Sequence, residues 1–240
     1  MIAGILAGGR PLVSVSATDP YWSNVSALLH MDGADASTTI VDQKGGSWVA
    51  SGNAQIKTDV SKFGGAALRL DGTGDVVTGP ASAAFDFGAG DFTIEFWFYC
   101  DSSLGAGTTQ RVFASKWGTG ITKAWLVDYY LGNLRCVVDD LAYDSFVTQA
   151  AITFTAGNWY HVAWSRASGT SRIFVDGAMV RNESFAHNIS PASTPVLIGY
   201  KGDGAGTEYL NGRIDEFRVT KGVARYTAAF SAPSSAFPDS

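Results

Sequence analysis

The chain has 240 residues, 46% of them hydrophobic and only 16% charged, with a formal net charge of −5. That length and apolar content are enough to bury a large core in one domain. The 17 basic residues are scattered without a run, so the chain lacks the electrostatic footprint of a nucleic-acid binder, and no stretch approaches the ~20 apolar residues of a membrane span, so no membrane insertion is expected.

Residues 1–20 read differently from the rest. They are small, apolar and glycine-rich, carry Ile2, Ile5, Leu6, Leu12 and Val13, and include Pro11 and Pro20. This composition is expected of an arm that lays a strand on a neighbouring subunit's sheet edge, leaving residues 21–240 as the folded domain. The opening apolar run is too short for a signal sequence, and its nearest cation, Arg10, follows it, so synthesis in the cytoplasm without secretion is the expectation.

From Trp22 onward, short apolar runs alternate with turn signals and no segment shows a helical period, which makes the domain all-β. Between residues 91 and 99 the even positions Phe92, Ile94, Phe96 and Phe98 form one apolar face. The odd positions Thr93, Glu95, Trp97 and Tyr99 form a mixed face that is either buried too or a sugar-stacking surface. Cys100 and Cys136 lie in apolar runs and read as free core cysteines. Asp176-Gly177, between two apolar runs, marks a tight hairpin in which both residues take positive φ.

Several segments together resemble one family. They are residues 61–77, with Gly64, Gly65, Asp71 and Asp75; residues 90–99; residues 157–164 around His161; residues 172–177; and residues 212–226. In order and spacing they are similar to the concanavalin A-like, laminin G-like jelly roll, and the likeness runs from about Trp22 to Pro238. It implies an all-β fold, an antiparallel β-sandwich of the lectin and glucanase type with an extended N-terminal arm. That fold hosts lectins, glycosidases and structural domains alike.

The glucanases that share this fold place their acid and nucleophile a few residues apart on one strand, about 5 Å between carboxyls in a retaining pair. Here Glu95 stands alone on its strand, with Asp91 in the preceding turn. Asp215 and Glu216 are adjacent, and neighbours on a regular strand point to opposite faces, so a non-enzyme is expected. The resemblance also implies a structural calcium held by Asp32, Asp71 and Asp215 with turn carbonyls, a donor set that suits a hard cation. The alternative reading gives the turn aspartates to hydrogen bonds within their own turns. The glycine-rich stretch 199–209 lacks the helix and Lys-Ser/Thr ending of a phosphate cradle, so it reads as a rim loop. With it, Trp117, Trp125, Tyr129 and Tyr200 are the expected aromatic platform for a glycan.

Residues 220–238 resemble the close of laminin G-like domains in tailed-phage virion proteins, and Pro233 and Pro238 suit a segment strapped over the sandwich rather than laddered into it. The resemblance implies a non-enzymatic virion protein, either a capsid decoration or a tail tip or fibre component. Its expected partners are other virion proteins, further copies of itself and a host-surface glycan. The alternatives are a carbohydrate-binding module for bacterial polysaccharide and, third, a glycoside hydrolase.

Overall fold

The computed structural model describes residues 18–240 except 105, 106, 108, 120–122, 140–144 and 205, and only the backbone of 145 and 146. The arm residues Ile2, Ile5, Leu6, Leu12 and Val13 lie outside the described residues. The strands are β1 (Val25–Leu29), β2 (Thr39–Ile40), β3 (Trp48–Ser51), β4 (Gln55–Lys57), β5 (Ala67–Asp71), β6 (Val76–Thr78), β7 (Phe92–Tyr99) and β8 (Arg111–Lys116). They continue with β9 (Trp125–Tyr130), β10 (Asn133–Asp139), β11 (Ser145–Ala151), β12 (Trp159–Ala167), β13 (Thr170–Val175), β14 (Ala178–Ser184), β15 (Leu197–Ile198) and β16 (Asn211–Lys221).

All pairings are antiparallel, and the strands form a two-sheet sandwich. Sheet I runs β14-β13-β12-β7-β16-β5-β4, and sheet II runs β11-β10-β9-β8-β15-β6-β3-β2. The long β16 serves two neighbours on one side, pairing β5 with its first half and β1 with its second. Phe92, Ile94, Phe96 and Phe98 point into the core, where Phe96 and Phe98 meet Phe113 of sheet II with ring centroids 5.4 and 4.8 Å apart. Each fully buried side chain of this size contributes roughly 1.5–3 kcal/mol. Cys100 and Cys136 are buried and free. Asp176 and Gly177 make the β13–β14 turn with φ of 51° and 79°.

The centre of the outer face of sheet I is covered, while the β14 edge stays exposed. Thr93, Glu95 and Trp97 are buried, Trp97 beneath Phe63 (5.9 Å, edge to face) with the Lys62 ammonium 3.8 Å from its ring. Residues 222–240 close over the remainder as a strap. Tyr226 and Phe230 stack 3.6 Å apart beside Phe174 and His161, and Phe237 lies under the Arg218 guanidinium at 3.8 Å.

Beneath the strap is a buried ionic network. Arg218 donates to Glu95 Oε1 from Nε (3.0 Å) and Nη2 (2.8 Å), and Tyr226 donates to Oε2 at 2.8 Å. His161 Nε2 lies 3.3 Å from the same oxygen. Asp19 accepts from Arg218 at 3.1 Å and from both terminal nitrogens of Arg225 at 3.0 and 2.7 Å. Asp19 is therefore part of the sandwich, and the folded region begins before residue 21. Burial by itself would raise the Glu95 carboxyl, but Arg218, with His161 and Arg225, outweighs it and holds the group well below the usual carboxylate range.

Removing one partner of a buried pair strands the other charge and costs about 3–5 kcal/mol. Glu95→Ala is expected to lower the unfolding free energy by that amount, read as a lower urea midpoint at unchanged slope. A loss below about 1 kcal/mol would show that the network does not hold the strap.

Candidate glycan-binding surface

The outer face of sheet II carries a second set of polar and aromatic side chains. Registers run across it from Ser115 to Leu126, Val137 and Val147. Leu126 and Val137 form a small cluster with Trp117, separate from the core, with Val147 against it. Two residues further along β9, the same face carries Asp128, paired in register with Arg135, which pairs in turn with Gln149. Asp128 is fully buried. Arg135 grips it with two nitrogens, Nε to Oδ1 at 2.8 Å and Nη2 to Oδ2, and the Gln110 amide donates to Oδ2. Burial pushes the Asp128 carboxyl upward, while Arg135, Gln110 and the charge of Lys201 oppose that shift. The Arg135 guanidinium also lies 4.7 Å from the ring centre of the half-buried Tyr130.

The segment from Gly199 to Leu210 borders this face. Its two ends meet where Leu210 N donates to Gly199 O (2.9 Å), and it is tied to β8 by Gly199 N to Phe113 O (3.0 Å) and Val112 N to Glu208 O (3.2 Å). The Ser115 hydroxyl, 2.9 Å from Tyr200 O and 3.0 Å from Lys201 O, holds it over the sheet. Gly202 has φ 94°, and a Cβ there would meet Trp117 O at 2.4 Å, so the approach requires glycine. On the two stems Tyr200 and Tyr209 stack 4.5 Å apart, both half-buried. Planar polar groups locked by one another, beside aromatic rings, are the parts from which sugar recognition is built: bidentate donors and acceptors for hydroxyls, and ring faces for C–H surfaces.

The four platform residues expected from sequence are not all here. Tyr200 is on the bordering segment. Trp117 is on the correct face but only 5% exposed, with Lys123 5.5 Å from its ring centre. Trp125 and Tyr129 face the core instead, and they are corrections. Trp125 is fully buried, stacked on Phe87 at 5.8 Å and donating to Phe85 O at 3.0 Å. The Tyr129 hydroxyl is held 3.0 Å from Leu104 O and 2.9 Å from Ile152 O. Strand alternation gives the reason, since Trp125, Val127 and Tyr129 share the face opposite to Leu126, Asp128 and Tyr130. Sequence reasoning missed Asp128, Arg135 and Gln110. The signal was an aspartate in the middle of an apolar strand.

The three aspartates expected to hold calcium do not converge. Asp71 pairs with Asn211, four residues along β16 from Asp215, so roughly 13 Å separates the two positions. Its carboxylate is taken by Thr73 N (2.8 Å) and the Asn53 amide (3.1 Å). Asp75 accepts from Asp71 N (2.7 Å) within its own turn, the turn-bonding alternative, and from Asn53 N (2.5 Å) of a neighbouring turn. Asp32 lies against Gly64, where a Cβ would sit 1.9 Å from Oδ1. Asp215 caps the residue 61–65 loop, its Oδ2 accepting from Lys62 N (2.8 Å) and Phe63 N (3.1 Å). Among the described residues no three His, Cys, Asp or Glu side chains are grouped to hold a metal, so the three aspartates expected from sequence are not assembled into one ligand set, although Asp32 lies near enough to Asp215 for their charges to interact.

The opposite-faces argument for Asp215 and Glu216 also fails. A β-bulge breaks the register between Asp215 and Arg218, with Glu216 at φ 51°, and both carboxyls lie on the outer side. Glu216 is occupied by His30 Nδ1 (2.9 Å) and by Phe237 N (2.7 Å). Glu95, the lone candidate acid of a hydrolase, is sealed and ionised.

Residues 71–225 match the Laminin_G_3 family model, described as the concanavalin A-like lectin/glucanases superfamily. The chain belongs to this family. A search of curated protein sequences finds no match. Among solved structures, similar folds include the binding domain of Paraclostridial Mosquitocidal Protein 1 (TM-score 0.66, 15% identity, 86% of this chain and 50% of that one). The botulinum neurotoxin serotype G binding domain is comparable (0.65, 12%, 85% and 49%). So is the serotype D ligand binding domain in complex with N-acetylneuraminic acid (0.62, 11%, 85% and 49%). The chain spans about half the length of each, and at these identities the likeness is one of fold.

Burial, reinforced by Glu216 and Asp32, pushes the Asp215 carboxyl up to about 7 despite its two backbone donors. The folded state then holds this proton more tightly than the unfolded chain. The stabilisation is complete below about pH 4 and is lost as pH rises through about 7, at about 1.4 kcal/mol per unit. His30, raised by its bond to Glu216, acts in the same direction. Asp215→Asn is expected to narrow the difference in unfolding free energy between pH 5 and pH 8 by about 2–3 kcal/mol. A calcium-dependent rise in Tm that the variant abolishes would overturn this account of Asp215.

Proposed function

We propose that this domain is a non-catalytic, lectin-like jelly roll that binds glycans on the outer face of sheet II. The observation that carries the reading is the Asp128–Arg135–Gln110 lock beside Tyr130, bordered by the Tyr200–Tyr209 stack. The similar solved structures are described as binding domains, one of them in complex with N-acetylneuraminic acid, which supports a binding role over a catalytic one. The carboxylates available to a hydrolase are engaged in the fold, as Glu95 and Glu216 show.

Removing an aromatic anchor from a binding surface costs about 2 kcal/mol or more. Tyr130→Ala and Tyr209→Ala are therefore each expected to weaken binding to arrayed bacterial surface polysaccharides at least tenfold, with Tm unchanged. Undiminished binding by both variants would remove this face from consideration.

The setting on a phage particle, as a capsid decoration or a tail tip or fibre component, rests on the resemblance of residues 220–238. Arrayed copies would there turn weak single contacts into firm adhesion. Because Asp19 belongs to the buried network, the arm is tested by deleting residues 1–17 only. The expected outcome is immunogold label on purified particles carrying the full chain and none on particles made with the deletion. Unlabelled particles in the first case would leave a free carbohydrate-binding protein, and equal label in the second would deny the arm its docking role.

A further inference from the structure

Two residues along β7 from the covered Trp97, the outer face of sheet I carries Tyr99. Tyr99 pairs in register with Trp159 of β12 on one side and with Arg213 of β16 on the other, and Arg213 pairs in turn with Arg69 of β5. These side chains stand in a row on one face, because their strand neighbours Phe98, Ile214 and Leu68 point into the core. Arg213 and Trp159 are two strands apart, roughly 10 Å.

The row sets locked charges beside aromatic rings. Arg213 grips Asp59 with both terminal nitrogens, Nη1 to Oδ1 at 2.5 Å and Nη2 to Oδ2 at 2.9 Å, and reaches Asp101 Oδ1 from Nε at 3.4 Å. Arg69 Nε lies 3.1 Å from Asp101 Oδ2, so two guanidiniums are matched by two carboxylates. Of these four groups Asp59 is the one turned to water, its side chain 57% exposed against 8% for Arg213 and 19% for Asp101. The hydrogen bond from Arg213 holds the Asp59 carboxyl below its usual value, which keeps it ionised at neutral pH. A carboxylate offers about four acceptor positions and the fork of Arg213 takes two of them.

The rings complete the arrangement. Tyr99 and Trp159, both half-buried, have ring centres 5.3 Å apart, and the Arg213 guanidinium lies 5.9 Å from the Tyr99 ring centre. β13 pairs with β12 only from Val162 onward, so among the described residues no strand flanks Trp159 on its far side. Exposed Gly157, where a Cβ would lie 4.0 Å from the Tyr99 hydroxyl, places no side chain against it. An oriented, solvent-facing carboxylate beside aromatic rings is complementary to a ligand with neighbouring hydroxyls to donate and a C–H face to stack. An acidic ligand would meet Asp59 with like charge, and a cation would meet the two guanidiniums beneath it.

We propose that this row is a second glycan contact, for a neutral sugar whose ring hydroxyls donate to Asp59 and whose apolar face lies on Trp159 and Tyr99. The inference rests on the glycan-binding reading and adds to it a charge preference and a site on the opposite sheet. Contacts on the two outer faces of a sandwich point away from one another, so one domain can hold two glycan chains at once.

Titration of the isotope-labelled full chain with galactose, mannose and glucose, and with glucuronate and tetramethylammonium as charged probes, tests it through the Trp159 indole and Tyr99 amide signals. At least one neutral hexose is expected to shift both, with the charged probes at least tenfold weaker. Asp59→Asn is expected to weaken that hexose at least tenfold with little change in Tm, since its ion pair is largely in water. Trp159→Ala is expected to weaken it by as much, and the Asp59 variant decides should the tryptophan variant fold poorly. Equal response to glucuronate would overturn the preference for a neutral sugar. A stronger response to tetramethylammonium would make the row a cation cage instead, and no shift at Trp159 with any hexose would remove it. Polysaccharide binding that Tyr130→Ala abolishes, with no hexose shift at Trp159, would sink this inference while the sheet II reading stands. Hexose shifts at Trp159 in a protein whose Tyr130 and Tyr209 variants bind normally would do the reverse.

Discussion

A carboxylate with no exposure in the middle of a β-sheet must be matched from every side or the fold around it fails. Glu95 is that group, and its partners come from the two ends of the described chain. Arg218 lies on the last strand, Tyr226 in the strap, and Asp19, which bridges Arg218 and Arg225, just before the first strand. The entry to the sandwich and its exit are thus tied to one another across sheet I, a tie repeated by Asp19 N to Ser240 O at 2.7 Å. The strap is held by charges that have nowhere else to go as well as by its aromatic rings.

This arrangement divides the work between the two sheets. Strap and residue 61–65 loop cover the centre of the outer face of sheet I, and the bulge that lifts Glu216 toward Phe237 N adds one more bond to the cover. Sheet II uses the same device of a buried carboxylate gripped by arginine, at Asp128, where the cover among the described residues is the shorter segment from Gly199 to Leu210. Arg135 remains 19% exposed there, with Tyr130 half-buried beside it. The lock on sheet II is thus buried at Asp128 and reaches solvent through Arg135, Tyr130 and Gln149.

Much of the fold was legible in the sequence because period and turn chemistry are local properties. Phe92, Ile94, Phe96 and Phe98 alternate and are all core, Asp176-Gly177 makes the tight turn its residue types demand, and the proline-bearing tail is strapped rather than laddered. What was not legible depends on register. Trp125 and Tyr129 look like a platform until alternation is anchored by a partner strand, and only pairing with β10 puts Asp128 beside Arg135. A bulge is harder still, since nothing in residues 215–218 announces that Glu216 will take a positive φ. The aspartates of residues 71–75 could be read either as ligands or as turn acceptors, and the backbone donors Asp71 N and Thr73 N at 2.7 and 2.8 Å give them to the turn, with Asn53 tying it to the neighbouring one.

The scarcity of charge also takes on a meaning that composition could not supply. Only 16% of residues are charged, and several of those are spent inside. Lys116, fully buried, pairs with Asp86 Oδ1 at 2.6 Å, and Arg166 is given over to the carbonyls of Gly88, Gly90 and His187 while sandwiched between Phe92 and Phe185. The surface that remains is poorer in charge than the sequence suggests. Such a surface projects little long-range field for salt to screen, so a partner must be recognised at contact distance, by shape, rings and hydrogen bonds. Among biological surfaces, hydroxyl-rich glycans match those terms most closely, which favours the glycan-binding proposal.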